Sequence, residues 1–401
     1  MIKKILIFNY TEYNQFISTL VEGLKKQKNI KLYSTTKLNY CEDITINSER
    51  TYSIKNEYSP LGSFPNWSNL SDELRDRGPN FLQISSAVKD EDSYIEECED
   101  LIEESDLIVV FSDNNTSPST YFNNKNDEVI THLHEYAVVN YGSKLVIVDP
   151  ISTHFINGSY TKYGSYPGGL PYNYKVYFKR EKSLDLDWDD NVVPFPRASE
   201  DRYFTVGKDF DKIWKNKELD ISALFRTSGY KKRIDIKNIL QKYYGDSKKC
   251  VLKNVFDFGE VVDKTIDSKI YGFKPNEIGN LLHHHSYYKT LSLSKISVEC
   301  PQYEGWGFYT YRMWESIANG CCYFYPTPNY NVDFPNGLID SKYFVIYHNQ
   351  NDLLEKIEYY LSHQDEMRLI AESGFNKLLN YHTSEIRAKE FLDVCERYIN
   401  D

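Results

Sequence analysis

The stretch YEGWGFYTYRMWESIANGCC (303–322) holds a glycine turn, a run of aromatics, then Arg312 and Glu315 on a helical segment. Both fall in the opening turns of that helix, directly behind Gly305 and Gly307. A helix that only packs has no use for that order, and an anion does. The first turn of a helix carries N–H groups without intrahelical acceptors and the positive end of the helix dipole. Glycines let the backbone come close to a ligand, Thr310 adds a hydroxyl, and Arg312 adds a planar fork of donors. The pattern predicts a phosphate-binding helix start. The plainer alternative is a helix start with surface charges.

A second group of cations stands in FRTSGYKKR (225–233), directly after a strand. Arg226 and Lys231 are five residues apart, and Lys232 and Arg233 are assigned to a solvated helix face. The other chemistry-bearing runs point less clearly. DLDWDD (185–190) reads as a surface loop. HHH (283–285) does not read as a metal site, because successive helical residues point about 100° apart and cannot converge on one ion. His132 and His134 do not share a face either. No metal is expected. The seven cysteines are scattered, with no CxxC pair. That suits reduced thiols in a cytosol, not a disulfide framework or a zinc site.

The elements that must position these residues alternate along the chain. KKILIF (3–8), IKLYST (30–35), DLIVVFSD (106–113) and KLVIVDP (144–150) read as strands, with helices over 12–26, 92–104 and 126–140. Unalternating apolar runs suit a parallel sheet covered on both faces. YKVYFKRE (174–181) and NVVPFP (191–196) read as closing strands, and 197–218 as a polar bridge. A second α/β pattern starts at LDISALFR (219–226). It continues through a helix at 231–244, a strand near 249–253 and a helix near 275–290. After these come KISVEC (295–300), the helix at 310–319, and the strands CCYFYP (321–326) and YFVIYH (343–348). Helices at 351–362, 364–380 and 384–399 close the chain, with Ser362 and Thr383 as N-caps of the last two.

The chain has 401 residues, and two domains are the expectation at that length. Apolar residues make up 41% and charged residues 26%, as in globular proteins. A formal net charge of −11 disfavours a nucleic-acid partner without excluding a local basic groove. No apolar run is long enough to span a bilayer, and the apolar run Ile5–Phe8 is too short for a signal segment. A cytoplasmic location is expected.

SKISVECPQYEGWGFYTYRMWESIANGCCYFYPTP, followed by DLLEKIEYYLSHQDEMRLIAESGFNKLLNYHTSEIRAKEFL, resembles the donor domain of GT-B glycosyltransferases. The similarity is to the group-1 and CgeB-like sets, which share a T-x-R-x-x-E…A-x-G block and an R-x-x-I-A-E-x-G…H-T…R block. It covers about residues 219–395. The resemblance implies two Rossmann-like, doubly wound α/β domains facing a central cleft. These would be an acceptor-side domain over 1–205 and a donor domain over 206–401, with the last helix crossing back to the first domain. It implies a nucleotide-sugar co-substrate, no further cofactor and no bound metal. The donor site would take Gly307, Thr310, Tyr311 and Arg312 at the helix start. Arg226 and Lys231 would meet the distal phosphate, and Glu315 the ribose. Retaining members commonly carry a second glutamate closer to this one than Glu304, which precedes Glu315 by eleven residues; retaining and inverting chemistry both stay open.

On the acceptor side, function sits at strand C-termini. That nominates Tyr10, Thr11, Asp113 and the run Asp149 to His154, with Asp113 and His154 as the candidate general bases of an inverting enzyme. The acceptor is a glycan, a small molecule or a modified base. Two alternatives stand beside transfer to such a hydroxyl: a phage-type enzyme acting on hydroxymethylated DNA bases, and a non-catalytic nucleotide-sugar-binding protein.

Overall fold

The computed structural model describes residues 2–8, 15–34, 82–83, 91–111, 132, 136–149, 174–225, 231–253, 287–300, 310–328 and 331–400. The first half holds β1 (Lys4–Phe8), α1 (Gln15–Lys26), β2 (Lys31–Ser34), β3 (Leu82–Gln83), α2 (Glu91–Glu104), β4 (Leu107–Phe111), β5 (Leu145–Asp149), β6 (Val176–Lys179) and β7 (Val192–Pro194). The second holds α3 (Phe210–Lys215), β8 (Leu219–Ser222), α4 (Lys231–Tyr244), β9 (Cys250–Val251), β10 (Ser294–Val298), α5 (Tyr311–Ala318), β11 (Cys322–Pro326), β12 (Val345–Tyr347), α6 (Gln350–Ser362), α7 (Gln364–Tyr381) and α8 (Ser384–Asn400).

The strands form two separate parallel sheets, ordered β3-β2-β1-β4-β5-β6-β7 and β12-β11-β10-β8-β9. In each, the order reverses beside the first strand, between β1 and β4 and between β8 and β10. Ligands of open parallel sheets bind outside the strand C-termini at such reversals.

The apolar runs have a simple cause. Along β4, Leu107, Val109 and Phe111 enter the core on one face, and Ile108 and Val110 enter the core on the other. Successive side chains of a strand alternate faces, so a sheet covered on both sides needs apolar residues at every position. The second half gathers around one core that includes Trp314, Phe324, Tyr347 and Phe375.

α8 packs against the first sheet, not the second. Ala388, Phe391 and Cys395 belong to the first half's core. Phe391 lies 4.7 Å from Phe178 and 5.6 Å from Phe195, measured between ring centroids. α1 meets α8 at Gly23, where an added Cβ would fall 2.0 Å from the Ser384 carbonyl oxygen and 2.7 Å from the Ala388 Cβ. The chain thus crosses between the halves twice, and the crossings pair. Ser199 N–H donates to the His382 carbonyl (2.7 Å), and Ser384 N–H donates to the Ser199 carbonyl (2.8 Å).

Two local expectations need correction. Residues 197–218 are not merely a polar bridge: Phe204, Phe210 and Ile213 are buried in the second core. α3 starts in that stretch, with the Asp209 carboxylate accepting from Lys212 N–H. Ser362 does not cap α7, whose N-cap is His363; its hydroxyl instead donates back to the Glu358 and Tyr359 carbonyls. Thr383 does accept from Ile386 N–H, at 3.3 Å. The HHH run, most of the 275–290 helix and His134 lie outside the described residues.

Candidate active site

The reversal point of the second sheet carries a built charge cluster. β10 ends at Val298, and the next residue, Glu299, is 0% exposed. A carboxylate there must be compensated. Arg312, in the first turn of α5, donates from Nη1 to both Glu299 oxygens, at 2.7 and 2.6 Å. Cys300 N–H donates to the same carboxylate at 3.0 Å. Arg233, in the first turn of α4, lies 3.8 Å from it and donates from Nε to the Cys300 carbonyl at 2.7 Å. One buried glutamate therefore ties two basic helix starts together. Burial acts most strongly, to lower the Arg312 pKa, but the Glu299 charge and hydrogen bond together with the Tyr287 and Glu315 charges hold the guanidinium above its ordinary value.

α5 begins after Thr310, whose backbone is extended and whose hydroxyl makes no cap bond. It ends before Gly320, which has φ +68°, the left-handed geometry that glycine supplies past a helix C-terminus. Nearly all of α5 is buried, including Tyr311 and Glu315. Glu315 is 4% exposed and accepts from the hydroxyls of Tyr287 (2.7 Å) and Tyr288 (3.0 Å). Burial, then the Glu315 charge, pushes the Tyr287 hydroxyl well above its ordinary pKa. Two of the carboxylate's four lone-pair positions are thereby used.

Among the sequence-derived candidates, the structure places Tyr311, Arg312 and Glu315 on α5 and Thr310 at its N-cap, with Lys231 exposed at the start of α4. Arg226, Gly307, Asp113 and His154 lie outside the described residues, as do Tyr10, Thr11 and Gly305. Arg233 is corrected: it is buried and bonded, not part of a solvated face. Asp149 is fully buried and accepts from Lys179 Nζ (2.9 Å) and the Tyr177 hydroxyl (2.7 Å). Burial outweighs that partner and lowers the Lys179 pKa. No cluster of His, Cys, Asp or Glu able to hold a metal occurs among the described residues.

The first half contributes a group that the motifs did not signal. Arg180 and Glu181 follow β6 and pair at 2.9 Å. Arg197 follows β7, and its guanidinium carbon sits 3.5 Å from the centroid of the Tyr311 ring, on the first residue of α5. Position at a strand's C-terminal end was the available signal for Glu299 and Arg180. Nothing in the local sequence marked Arg197.

Clustered cations around a helix start can hold a polyanion and stabilise charge that develops on it. The comparisons with known proteins bear on the fold and the family resemblance. Residues 258–393 match the family model described as glycosyl transferase-like, which bears out the group-1 resemblance. No protein of curated function matches the sequence. The chain is similar in fold to a glycosyltransferase from Rickettsia africae ESF-5, at 12% identity and TM-score 0.55, over 99% of each chain. It is similar to the Anabaena protein HepE in complex with UDP and glucose, at 7% identity and TM-score 0.52, over 99% of this chain and 100% of that one. An alpha-glucosyltransferase in complex with UDP and a 13-mer DNA containing a HMU base is similar at 11% identity and TM-score 0.54, over 98% of this chain and 99% of that one. The fold is GT-B: two Rossmann-like α/β halves, each built on a parallel sheet.

Proposed function

We propose that the chain is a glycosyltransferase that moves a sugar from a nucleoside-diphosphate sugar to an acceptor hydroxyl. The observation that carries this reading is the Glu299–Arg312 pair, which fixes a cation at the α5 start beside the basic start of α4. The donor diphosphate would lie over these two helix starts. Arg226 and Lys231 would meet its distal phosphate, with Gly307, Thr310 and Tyr311 lining the approach. Glu315, held by its two tyrosine donors, would accept from the ribose hydroxyls through its remaining lone pairs.

In the reaction the bond between the anomeric carbon and the phosphate oxygen breaks, and its electron pair leaves with the diphosphate. The acceptor oxygen bonds to the anomeric carbon and gives up its proton. Asp113 or His154 takes that proton if the transfer inverts. Preorganised cations stabilise the leaving diphosphate without reorganising, so turnover needs no divalent ion. UDP is the first donor base to try, because HepE and the alpha-glucosyltransferase are described with UDP.

A thermal-shift screen of nucleoside diphosphates tests the reading, since a ligand of the folded state raises the melting temperature by mass action. No shift with any of them would sink it. Transfer to a modified DNA base is the second reading, favoured by the likeness to the DNA-bound alpha-glucosyltransferase and opposed by the net charge of −11. Binding to DNA that weakens steeply with salt would support it. Donor hydrolysis without acceptor would argue against a merely binding protein.

A further inference from the structure

Arg197 is the least accounted-for charge in the described residues. Its guanidinium carbon lies 3.5 Å from the centroid of the Tyr311 ring, and its Nε is out of solvent with no hydrogen-bond partner among the described residues. No carboxylate lies within ion-pair distance of it among the described residues. Glu181, the carboxylate whose charge reaches it, is engaged by Arg180. Burial, then the Arg180 charge, lowers its pKa to about 10. A guanidinium placed this way lowers stability unless something anionic joins it. Stacking on an aromatic face offsets part of the cost and fixes the plane of the fork, but leaves its N–H edges unused.

The placement matters as much as the missing partner. Arg197 comes from the first half, after β7, and Tyr311 is the first residue of α5 in the second half. The contact therefore spans the two halves at the one helix start already stocked with Arg312. Of the N–H groups of that first turn, that of Met313 donates to the Thr310 carbonyl at 3.3 Å, while those of Tyr311 and Arg312 come too early for an intrahelical acceptor.

We propose that Arg197 is a donor-binding residue supplied by the first half, whose free edge takes the diphosphate of the nucleotide sugar at the α5 start. Tyr311 is then a platform that aims Arg197, not itself a phosphate ligand. The inference rests on the glycosyltransferase reading and adds to it. The donor would be gripped from both halves, so diphosphate binding would couple to the way the halves meet.

Calorimetric titration of the whole chain with UDP, GDP and ADP, and with their parent nucleosides, tests this. Arg197→Gln should weaken the best-bound diphosphate about ten- to hundredfold, the loss expected of one or two charge-assisted bonds. It should leave the parent nucleoside within about twofold. Arg197→Lys, which keeps charge but not the fork or the stack, should fall between. The melting temperature of the free Arg197→Gln protein should stay level or rise, because an uncompensated charge has been removed. A merely structural arginine would give the opposite: a lower melting temperature, with diphosphate and nucleoside weakened alike. Unchanged diphosphate affinity in Arg197→Gln would overturn this assignment alone. A wild-type chain that binds none of the diphosphates would overturn the glycosyltransferase reading and this assignment with it.

Discussion

Glu299 and Arg312 make the sharpest case at single positions. Glu299 is fully buried, so Arg312→Ala would strand its charge and should cost about 3 kcal/mol or more in a denaturant titration. Arg312→Lys should recover part of that loss and little of the donor affinity, since a point charge cannot match the fork. Glu315 and Arg226 should fail differently. If Glu315 holds the ribose, Glu315→Gln removes a contact to a part of the donor that does not change charge, and donor KM should rise more than kcat falls. Arg226→Ala should cut kcat by roughly 10²–10³, the scale for one preorganised charge stabiliser. An unchanged kcat in a normally folded Arg226→Ala protein would remove Arg226 from the phosphate. The sequence showed that a cation and a carboxylate belong at this helix start. It did not show that Arg312 answers to Glu299, because that pairing depends on β10 lying beside β8 and bringing a strand end under the helix. The same blindness put Arg233 on the surface: Lys231 and Lys232 beside it are exposed, and nothing within KKR marks its last member as the buried one.

Helix and strand identities were far more legible. The helix expected at 231–244 is α4, residue for residue, and the apolar runs were strands because both faces of each sheet are covered. The glycine of the A-x-G block also has its reason in Gly320, where α5 must turn back with positive φ. Periodicity failed at 197–218, where Phe204, Phe210 and Ile213 are spread too thinly among charges to read as a core segment. Gly23 was silent for another reason. Its use lies in the close approach of α8, which no local pattern reports. Gly23→Ala should therefore destabilise by about 1–3 kcal/mol through overpacking against Ser384 and Ala388. Phe391→Ala on the facing helix should cost about 3–5 kcal/mol. Thermal melts of both variants check the two figures.

Across the whole molecule, the paired crossings set the response to acid. His382 sits at the return crossing, with ring centroids 4.9 Å from Trp314 and 5.0 Å from Phe334. Burial, then the Arg387 charge, lowers its pKa to about 3 from an ordinary 6.5. The folded state thus binds fewer protons than the unfolded state between those values. Stability from this group is full above pH 6.5 and is lost as pH falls toward 3, at about 1.4 kcal/mol per unit. Denaturant midpoints at pH 7 and 4.5 should differ more in the wild type than in His382→Gln; equal differences would exclude His382 as the source. Activity should persist in EDTA, with cationic side chains at the leaving group; loss on chelation, restored by Mg²⁺ or Mn²⁺, would refute that. The crossing helix has one more consequence, and it concerns time. Phe391 and Cys395 complete the core of the first half, and Glu396 accepts from the amide of Ile2. A sheet whose last strand ends at Pro194 is thus finished by a helix that begins only at Ser384. Until α8 has been synthesised, the face of the first sheet that it covers stays open, and the strands made earlier must wait for that helix to seal it.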